Sequence, residues 1–266
     1  MNRFAVIGHP VAHSLSPKMH AANFAAIGYA GEYGMFDVPP ENIAEFVRLK
    51  GEEGYLGLNI TIPHKVTVIG VLDNVDESVK LYGACNTVKF AKDGSISGYN
   101  TDAAGFLSAL SLRGVPIAGR KVLVVGFGGA GRTVAIAALR SGAAEVFAAV
   151  RHDVDTGGFA VKTVPMDEAA KIATLVDIVV NATPVGLQPG DGPVLPNDVF
   201  RKGQFVLDII PSKDFPPTAQ AALDAGAMAA DGLEFLVGQG AESFKIWTGI
   251  AADRAAMLNA VKEQRK

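Results

Sequence analysis

Along the first hundred residues, short apolar runs alternate with helix-periodic stretches. The runs at 4–7, 32–38 and 56–61 have the length of strands, and segments near 17–27, 40–50 and 64–71 carry helical spacing. That rhythm predicts βαβ units. Two further runs, 87–90 and 95–98, flank Ala91-Lys92-Asp93-Gly94, whose Asp-Gly pair predicts a hairpin turn. A helical stretch over about 102–112 leads through Arg113-Gly114-Val115-Pro116 into a second series of strands at 122–125, 145–150, 178–181 and 205–209, with a smaller one near 228–230. From 235 to 261 the spacing is amphipathic and helical, without strand signals. The pattern reads as α/β in two domains, 1–101 and 102–235, with C-terminal helices in 236–266 that return to the first domain.

With 266 residues and 49% hydrophobic content, the chain has enough apolar material for two modest cores. The net charge of -3 and the lack of a long basic run argue against a nucleic-acid partner and leave small molecules as the expected ligands. Cys85 is the single cysteine, so no intramolecular disulfide and no thiolate metal cluster is expected, which fits a reducing compartment. The apolar run at the start is too short for a signal peptide, and no stretch reaches the roughly 20 residues needed to span a bilayer. A cytoplasmic protein without membrane contact follows. The five histidines, at 9, 13, 20, 64 and 152, show no metal-ligand spacing, and no metal is expected.

Candidate chemistry begins at residues 122–125, where Val-Leu-Val-Val runs into Gly126-Phe127-Gly128-Gly129-Ala130-Gly131 and an alanine-rich helix. Glycines at a strand-to-helix turn let the backbone approach a pyrophosphate, and the helix N-terminus supplies free N–H groups and a positive dipole end. Gly126, Gly128, Gly129, Ala130 and Gly131 are therefore candidate cofactor contacts. The next strand ends at Val150-Arg151-His152-Asp153. An acidic residue at this place accepts from a free ribose 2′-hydroxyl, whereas an arginine accommodates a 2′-phosphate. Both types are present, so NAD and NADP stay open. Asp153 and Asp155, with no second base close by, tilt the expectation to NAD; Asp155 reads equally well as a solvated loop charge.

Three polar clusters sit at strand ends, where open α/β sheets bind ligands. In Gly8-His9-Pro10-Val11-Ala12-His13-Ser14-Leu15-Ser16-Pro17, two hydroxyls precede a helix and suit a carboxylate, although plain N-capping would account for one of them. Gly57-Leu58-Asn59-Ile60-Thr61-Ile62-Pro63-His64-Lys65 and Gly98-Tyr99-Asn100-Thr101-Asp102 carry a lysine and an aspartate that can form the acid/base pair alcohol oxidation needs, because the hydroxyl proton must leave as the hydride departs.

His13-Ser14-Leu15-Ser16-Pro17, Asn59 to Lys65, Asn86-Thr87, Asn100-Thr101-Asp102 and Gly238-Gln239-Gly240-Ala241 resemble, in order and spacing over essentially the whole chain, the signature motifs of the shikimate/quinate dehydrogenase family. The resemblance implies a substrate domain built from the first hundred residues and the C-terminal helices. It implies a Rossmann-type doubly wound dinucleotide-binding domain between them and an active site in the cleft. In those terms Ser14 and Ser16 hold the substrate carboxylate, and Asn59, Thr61, Asn86 and Gln239 bind ring hydroxyls or order the site. Lys65 and Asp102 handle the proton, while Asn181-Ala182-Thr183 and Ile209 line the nicotinamide pocket. The implied activity is hydride transfer between NAD(P) and a ring hydroxyl of shikimate or a related acid such as quinate, by a monomer or homodimer. A dinucleotide-binding regulator with little turnover is the other reading. A folate-dependent dehydrogenase of similar architecture ranks last, since it would lack Ser-x-Ser-Pro.

The chain also departs from the family. Where Asp-x-x-Tyr-x-Pro-x-x-Thr is usual, it reads Asp208-Ile209-Ile210-Pro211-Ser212-Lys213-Asp214-Phe215-Pro216. Pro211 replaces a tyrosine that the resemblance assigns to the carboxylate, so one contact is missing unless Lys213 supplies it. Phe235, Gly238 and Pro184 are further differences. Val150-Arg151-His152 stands where NADP-dependent members carry Asn-Arg-Thr, and Asp153 resembles members that accept NAD.

Overall fold

The computed structural model of the chain describes residues 1–188, 190–210 and 214–263, and Pro211 and Lys213 lie outside them. Two units emerge among the described residues: Met1–Gly105 with those from Val237 onward, and Phe106–Leu236.

The first unit runs β1 (Asn2–Gly8), α1 (Ser16–Ile27), β2 (Gly31–Asp37), α2 (Ile43–Glu52), β3 (Gly57–Ile60), β4 (Asn74–Val75), α3 (Glu77–Tyr82), β5 (Thr87–Phe90) and β6 (Ile96–Tyr99). Its sheet has the order β2-β1-β3-β5-β6-β4. β1 lies parallel to β2 and β3, whereas β5 runs antiparallel to β3 and β6. Phe4, Ala5, Val6 and Ile7 are all buried, as suits an inner strand covered on both faces. The expected hairpin forms, with Gly94 at φ 85° and Gly94 N–H donating to the Ala91 carbonyl at 3.0 Å.

The expected helix at 64–71 is instead a short 3-10 turn over Thr67–Val71. Val66, Thr67, Val68 and Ile69 are consecutive β-branched residues, which lose side-chain freedom in an α-helix, and Gly70 follows them. Conversely α3 was not expected. It is six residues long and starts where Asp76 Oδ1 accepts from the Ser78 N–H at 2.9 Å, too short to show a period.

The second unit begins within α4 (Asp102–Leu112) and continues with β7 (Lys121–Val125), α5 (Gly129–Arg140), β8 (Glu145–Val150), β9 (Val161–Pro165), α6 (Ala169–Ala173), β10 (Ile178–Asn181), β11 (Phe205–Asp208), α7 (Pro217–Asp224) and β12 (Met228–Ala230). Its strands are all parallel in the order β12-β11-β10-β7-β8-β9. The winding direction reverses between β7 and β10, the switch point at which doubly wound sheets bind dinucleotides. β9 escaped the sequence reading because it is an edge strand, exposed at Lys162, Thr163 and Pro165, and shows no apolar run.

The amphipathic tail forms α8 (Gly232–Thr248) and α9 (Arg254–Lys262). From Val237 it belongs to the first unit, as expected of returning helices. Trp247 anchors it: the indole Nε1 donates to the Val88 carbonyl at 2.8 Å, and the ring stacks on Phe4 with centroids 5.0 Å apart. Only a glycine fits opposite, since a Cβ on Gly57 would lie 2.1 Å from the indole nitrogen. The Asp253 N–H donates to Asn23 Oδ1 at 2.8 Å and ties α9 to α1. Among the described residues no helix is long and apolar enough to cross a membrane.

Candidate active site

In the first unit a buried polar network gathers most of the candidate substrate and acid/base residues. Lys65 follows β3, and its carbonyl accepts from the Cys85 N–H at 2.7 Å, so the backbone beneath the ammonium is fixed. Asp102 opens α4, where its carboxylate meets the positive helix end, and its N–H donates to Asn100 Oδ1 at 3.0 Å. Lys65 Nζ donates to Asp102 Oδ2, and Asn86 Nδ2 donates to Asp102 Oδ1 at 2.7 Å. The Asp102 side chain is 2% exposed and that of Lys65 13%, so the carboxylate is enclosed and the lysine side chain is largely so. Such charge-assisted bonds are about twice as strong as neutral ones.

Asn86 is oriented by the Thr101 N–H, which donates to its Oδ1 at 2.8 Å, and its Nδ2 also lies 3.4 Å from Gln239 Oε1 on α8. Asn59 Nδ2 faces the Asn86 carbonyl at 3.2 Å, Ser243 Oγ at 3.0 Å and Thr87 Oγ1 at 3.3 Å, while its Oδ1 accepts from the Tyr33 hydroxyl at 2.7 Å. Protein groups therefore occupy the Asn59 carboxamide at both ends. Ser243 Oγ lies 2.7 Å from Thr87 Oγ1 and 3.1 Å from Thr101 Oγ1. Tyr33, Thr87, Thr101 and Ser243 carried no role in the sequence reading. Ser243 was within reach of it, because it stands one helical turn after Gln239 and shares its face.

Thr61 is half-buried, with its methyl against Gly8. Ser14 and Ser16 come together at the start of α1, where Ser14 Oγ accepts from the Ser16 N–H at 3.3 Å. Neither is the N-cap: that position is Leu15, and no side chain caps the helix. Plain capping thus does not account for the serines. Cys85, behind Lys65, is inert, since burial pushes its thiol up to about 12.

The second unit holds the candidate dinucleotide residues. The three motif glycines have separate physical duties. Gly126 adopts φ 93°; a Cβ on Gly131 would lie 2.2 Å from the Gly126 carbonyl oxygen; a Cβ on Gly128 would meet nothing within 4 Å. The turn, the close strand-to-helix packing and the open backbone face that a pyrophosphate needs are all present. Gly129 and Ala130 begin α5, whose first turn carries no acidic residue and no side-chain cap. Its N–H groups suit an anion.

Asn181, at the end of β10, pins the adjoining loop. Its Oδ1 accepts from the Thr183 N–H at 3.0 Å and the Thr183 hydroxyl at 2.8 Å, and its Nδ2 donates to Asp208 Oδ2 at 2.9 Å. Asp208 is fully buried at the end of β11, and burial pushes its carboxyl up to about 6. Ile209 is buried beside it, its N–H donating to the Asn181 carbonyl at 3.1 Å. Arg151 and Asp153 are exposed beyond β8. The premise that no second base lies near Asp155 is corrected by α5: Arg132 Nη1 donates to the Asp155 carbonyl at 2.7 Å. The Asp155 carboxylate itself accepts from the Gly157 N–H at 2.7 Å and serves its own loop. Arg132 was overlooked because it lies 23 residues from Asp155 in sequence.

A glycine turn at the switch point of a doubly wound sheet, with a lysine–aspartate pair in a saturated polar frame, defines a nicotinamide-dependent dehydrogenase. The comparisons narrow this. Residues 6–88 match the shikimate dehydrogenase substrate binding domain, and residues 232–262 match the shikimate 5'-dehydrogenase C-terminal domain. A shikimate dehydrogenase (NADP(+)) of Rubrobacter xylanophilus is 40% identical, covering 96% of this chain and 94% of that protein. The crystal structure of shikimate 5-dehydrogenase from Thermus thermophilus, in complex with NADP(H) and shikimate, superposes with a TM-score of 0.89 at 36% identity, over 99% of this chain and 100% of that one. That of Listeria monocytogenes, in complex with shikimate and NAD, gives 0.84 at 27% identity over 99% and 96%. The chain belongs to the shikimate dehydrogenase family.

Proposed function

We propose that the chain interconverts shikimate and its 3-dehydro ketone with NADP(H), in the cytoplasm. The observation that carries this reading is the enclosed Lys65–Asp102 pair held by Asn86. When bound, the nicotinamide supplies the hydride acceptor or donor. In the oxidation direction Lys65, once its ammonium has released a proton to solvent, accepts the proton of the reacting hydroxyl as the neutral amine; in reduction its ammonium gives a proton to the ketone oxygen. Asp102 holds the lysine and neutralises its charge, and Asn86 holds Asp102. Ser14 and Ser16 bind the ring carboxylate, while Thr61, Asn86 and Gln239 reach ring hydroxyls. Asn59, with its carboxamide already occupied, orders the others. Thr183 and Ile209 line the nicotinamide side, and the glycine turn with the start of α5 holds the pyrophosphate.

For the cofactor, Arg132 and Arg151 together favour a ribose 2′-phosphate over the carboxylate of Asp153. The cofactor named for the Rubrobacter relative supports the same choice. Shikimate is preferred over quinate because the Thermus and Listeria structures carry it. Initial rates of nicotinamide reduction, with shikimate and quinate each paired with NADP and NAD, test the reading. Fastest turnover with shikimate and NADP is expected. Silence in all four pairings, with the dinucleotide still bound, would leave the regulatory reading instead.

A further inference from the structure

Asn181 and Asp208 end neighbouring parallel strands, stand opposite each other in register, and are both fully buried. A carboxamide has four hydrogen-bonding positions, and in Asn181 protein fills all of them. Its Oδ1 accepts from the Thr183 N–H at 3.0 Å and the Thr183 hydroxyl at 2.8 Å; its Nδ2 donates to the Val185 carbonyl at 3.0 Å and to Asp208 Oδ2 at 2.9 Å. A backbone N–H only donates and a carbonyl only accepts, so Thr183 and Val185 leave the amide one orientation. Three of the four bonds close the 181–185 turn on itself, and the fourth ties it to β11. The turn packs on the glycine turn: a Cβ on Gly126 would lie 2.8 Å from the Thr183 methyl, and one on Gly131 3.2 Å from the Ala182 Cβ.

We propose that Asp208 is a positioning residue of the dinucleotide site: through Asn181 it holds the 181–185 turn in the shape that packs on the glycine turn. The inference rests on the proposed function only in that a dinucleotide binds at that glycine turn. Asp208 meets no ligand itself. Backbone bonds fix the start of the turn, since the Ala182 N–H donates to the Val125 carbonyl at 2.9 Å and the Ile209 N–H to that of Asn181 at 3.1 Å. Thr183 to Val185 lie past the strand and are held through the Asn181 amide. If that amide turns, Thr183 loses the acceptor of its N–H and its hydroxyl together, and the turn keeps its binding shape for only a fraction of the time. Apparent affinity falls by that fraction. A carboxylate suits position 208 because two N–H donors arrive there, one at each oxygen: Asn181 at Oδ2, and Ile210 at Oδ1 over 3.1 Å.

The bond can be exchanged end for end. Asp208→Asn sets one oxygen against two N–H donors. Asn181→Asp keeps both acceptor contacts of Thr183 but brings two carboxylates together. In the N181D/D208N double variant the donor moves to position 208 and the acceptor to 181, so the bond between the strands forms again and only the Val185 carbonyl lacks its donor. Dissociation constants for NADP, NAD and shikimate are measured calorimetrically at about pH 8, well above the value of about 6 to which burial raises the Asp208 carboxyl, with Tm as the check of folding. D208N is expected to weaken NADP and NAD alike, about tenfold on the wild-type background, since both carry the pyrophosphate. N181D alone weakens them about a hundredfold, and adding D208N to it recovers about tenfold. Shikimate affinity stays unchanged in all variants. The same substitution therefore harms one background and helps the other. Unchanged dinucleotide affinity in D208N, a double variant weaker than N181D, or an equal loss of shikimate affinity would overturn the proposal. Should N181D not fold, amide exchange at Thr183 in D208N reads the same tie; it quickens as affinity falls, and unchanged exchange overturns the inference. Silence with ring acids while the dinucleotide binds fails the proposed function alone, and a wild type that binds neither NADP nor NAD overturns both.

Discussion

His20 makes the first unit sensitive to acid. It lies on α1 with no exposed surface, and neither ring nitrogen has a hydrogen-bond partner among the described residues. Burial lowers its pKa from 6.5 to about 3. The folded protein thus keeps a neutral imidazole where the unfolded chain takes a proton, so this contribution is intact above pH 6.5 and is lost as the pH falls toward 3. Between about pH 7.5 and about pH 5 the difference amounts to about 2 kcal/mol of lost stability. Trp247, the single tryptophan, sits in the same unit with its ring 5.7 Å from His20, so its fluorescence reports the relevant unfolding. Urea titrations at the two pH values, on the wild type and on His20→Phe, isolate the effect. Burial also lowers His13 and His64, but they contribute equally to both proteins and cancel. The variant is expected to lose about 2 kcal/mol less than the wild type on acidification. Equal losses in the two proteins would refute the reasoning.

Asp208 has the opposite sign. With its pKa raised from 3.8 to about 6, the folded state binds more protons in that window, and stability falls as pH rises through it. Asp208→Asn should remove about 1 kcal/mol of the gain seen on acidification to about pH 5, measured by hydrogen exchange in β10 and β11. Lys65→Ala is expected to cut turnover about a hundredfold or more with dinucleotide affinity nearly unchanged, read by single-turnover kinetics and calorimetry. Arg132→Ala should raise KM for NADP about tenfold while leaving that for NAD within about twofold, since one charge-assisted contact is lost only with the phosphate. Gly57→Ala drives a methyl into the Trp247 indole and should cost about 3 kcal/mol or more, seen as a lowered Tm and a red-shifted tryptophan emission.

The sequence disclosed elements whose signal is local. The Asp93-Gly94 hairpin and the glycine turn after β7 could be read directly, because turn chemistry and a strand-to-helix boundary lie within a few residues. The 64–71 segment misled because its apolar residues fit a helical face while their β-branching opposed one. Lys65 and Asp102 were legible as a pair through the family resemblance; their actual contact depends on strand pairing between residues 37 positions apart. Tyr33 and Arg132 stayed hidden because their partners lie 26 and 23 residues away, and single polar residues carry no periodicity, whereas Ser243 could be reached from Gln239 one helical turn before it.

Because α8 supplies Gln239, Ser243 and Trp247 to a unit whose other part ends at Gly105, that unit cannot be assembled in the order of synthesis. A chain emerging from the ribosome exposes β1 to β6 while the indole that fills the space over Gly57 has not yet been made. The continuous middle unit is able to settle first, and the opening segment must wait, with Phe4 and its aromatic neighbours uncovered, until the last helices arrive. The interval between them is the period of greatest exposure to chaperones and to aggregation.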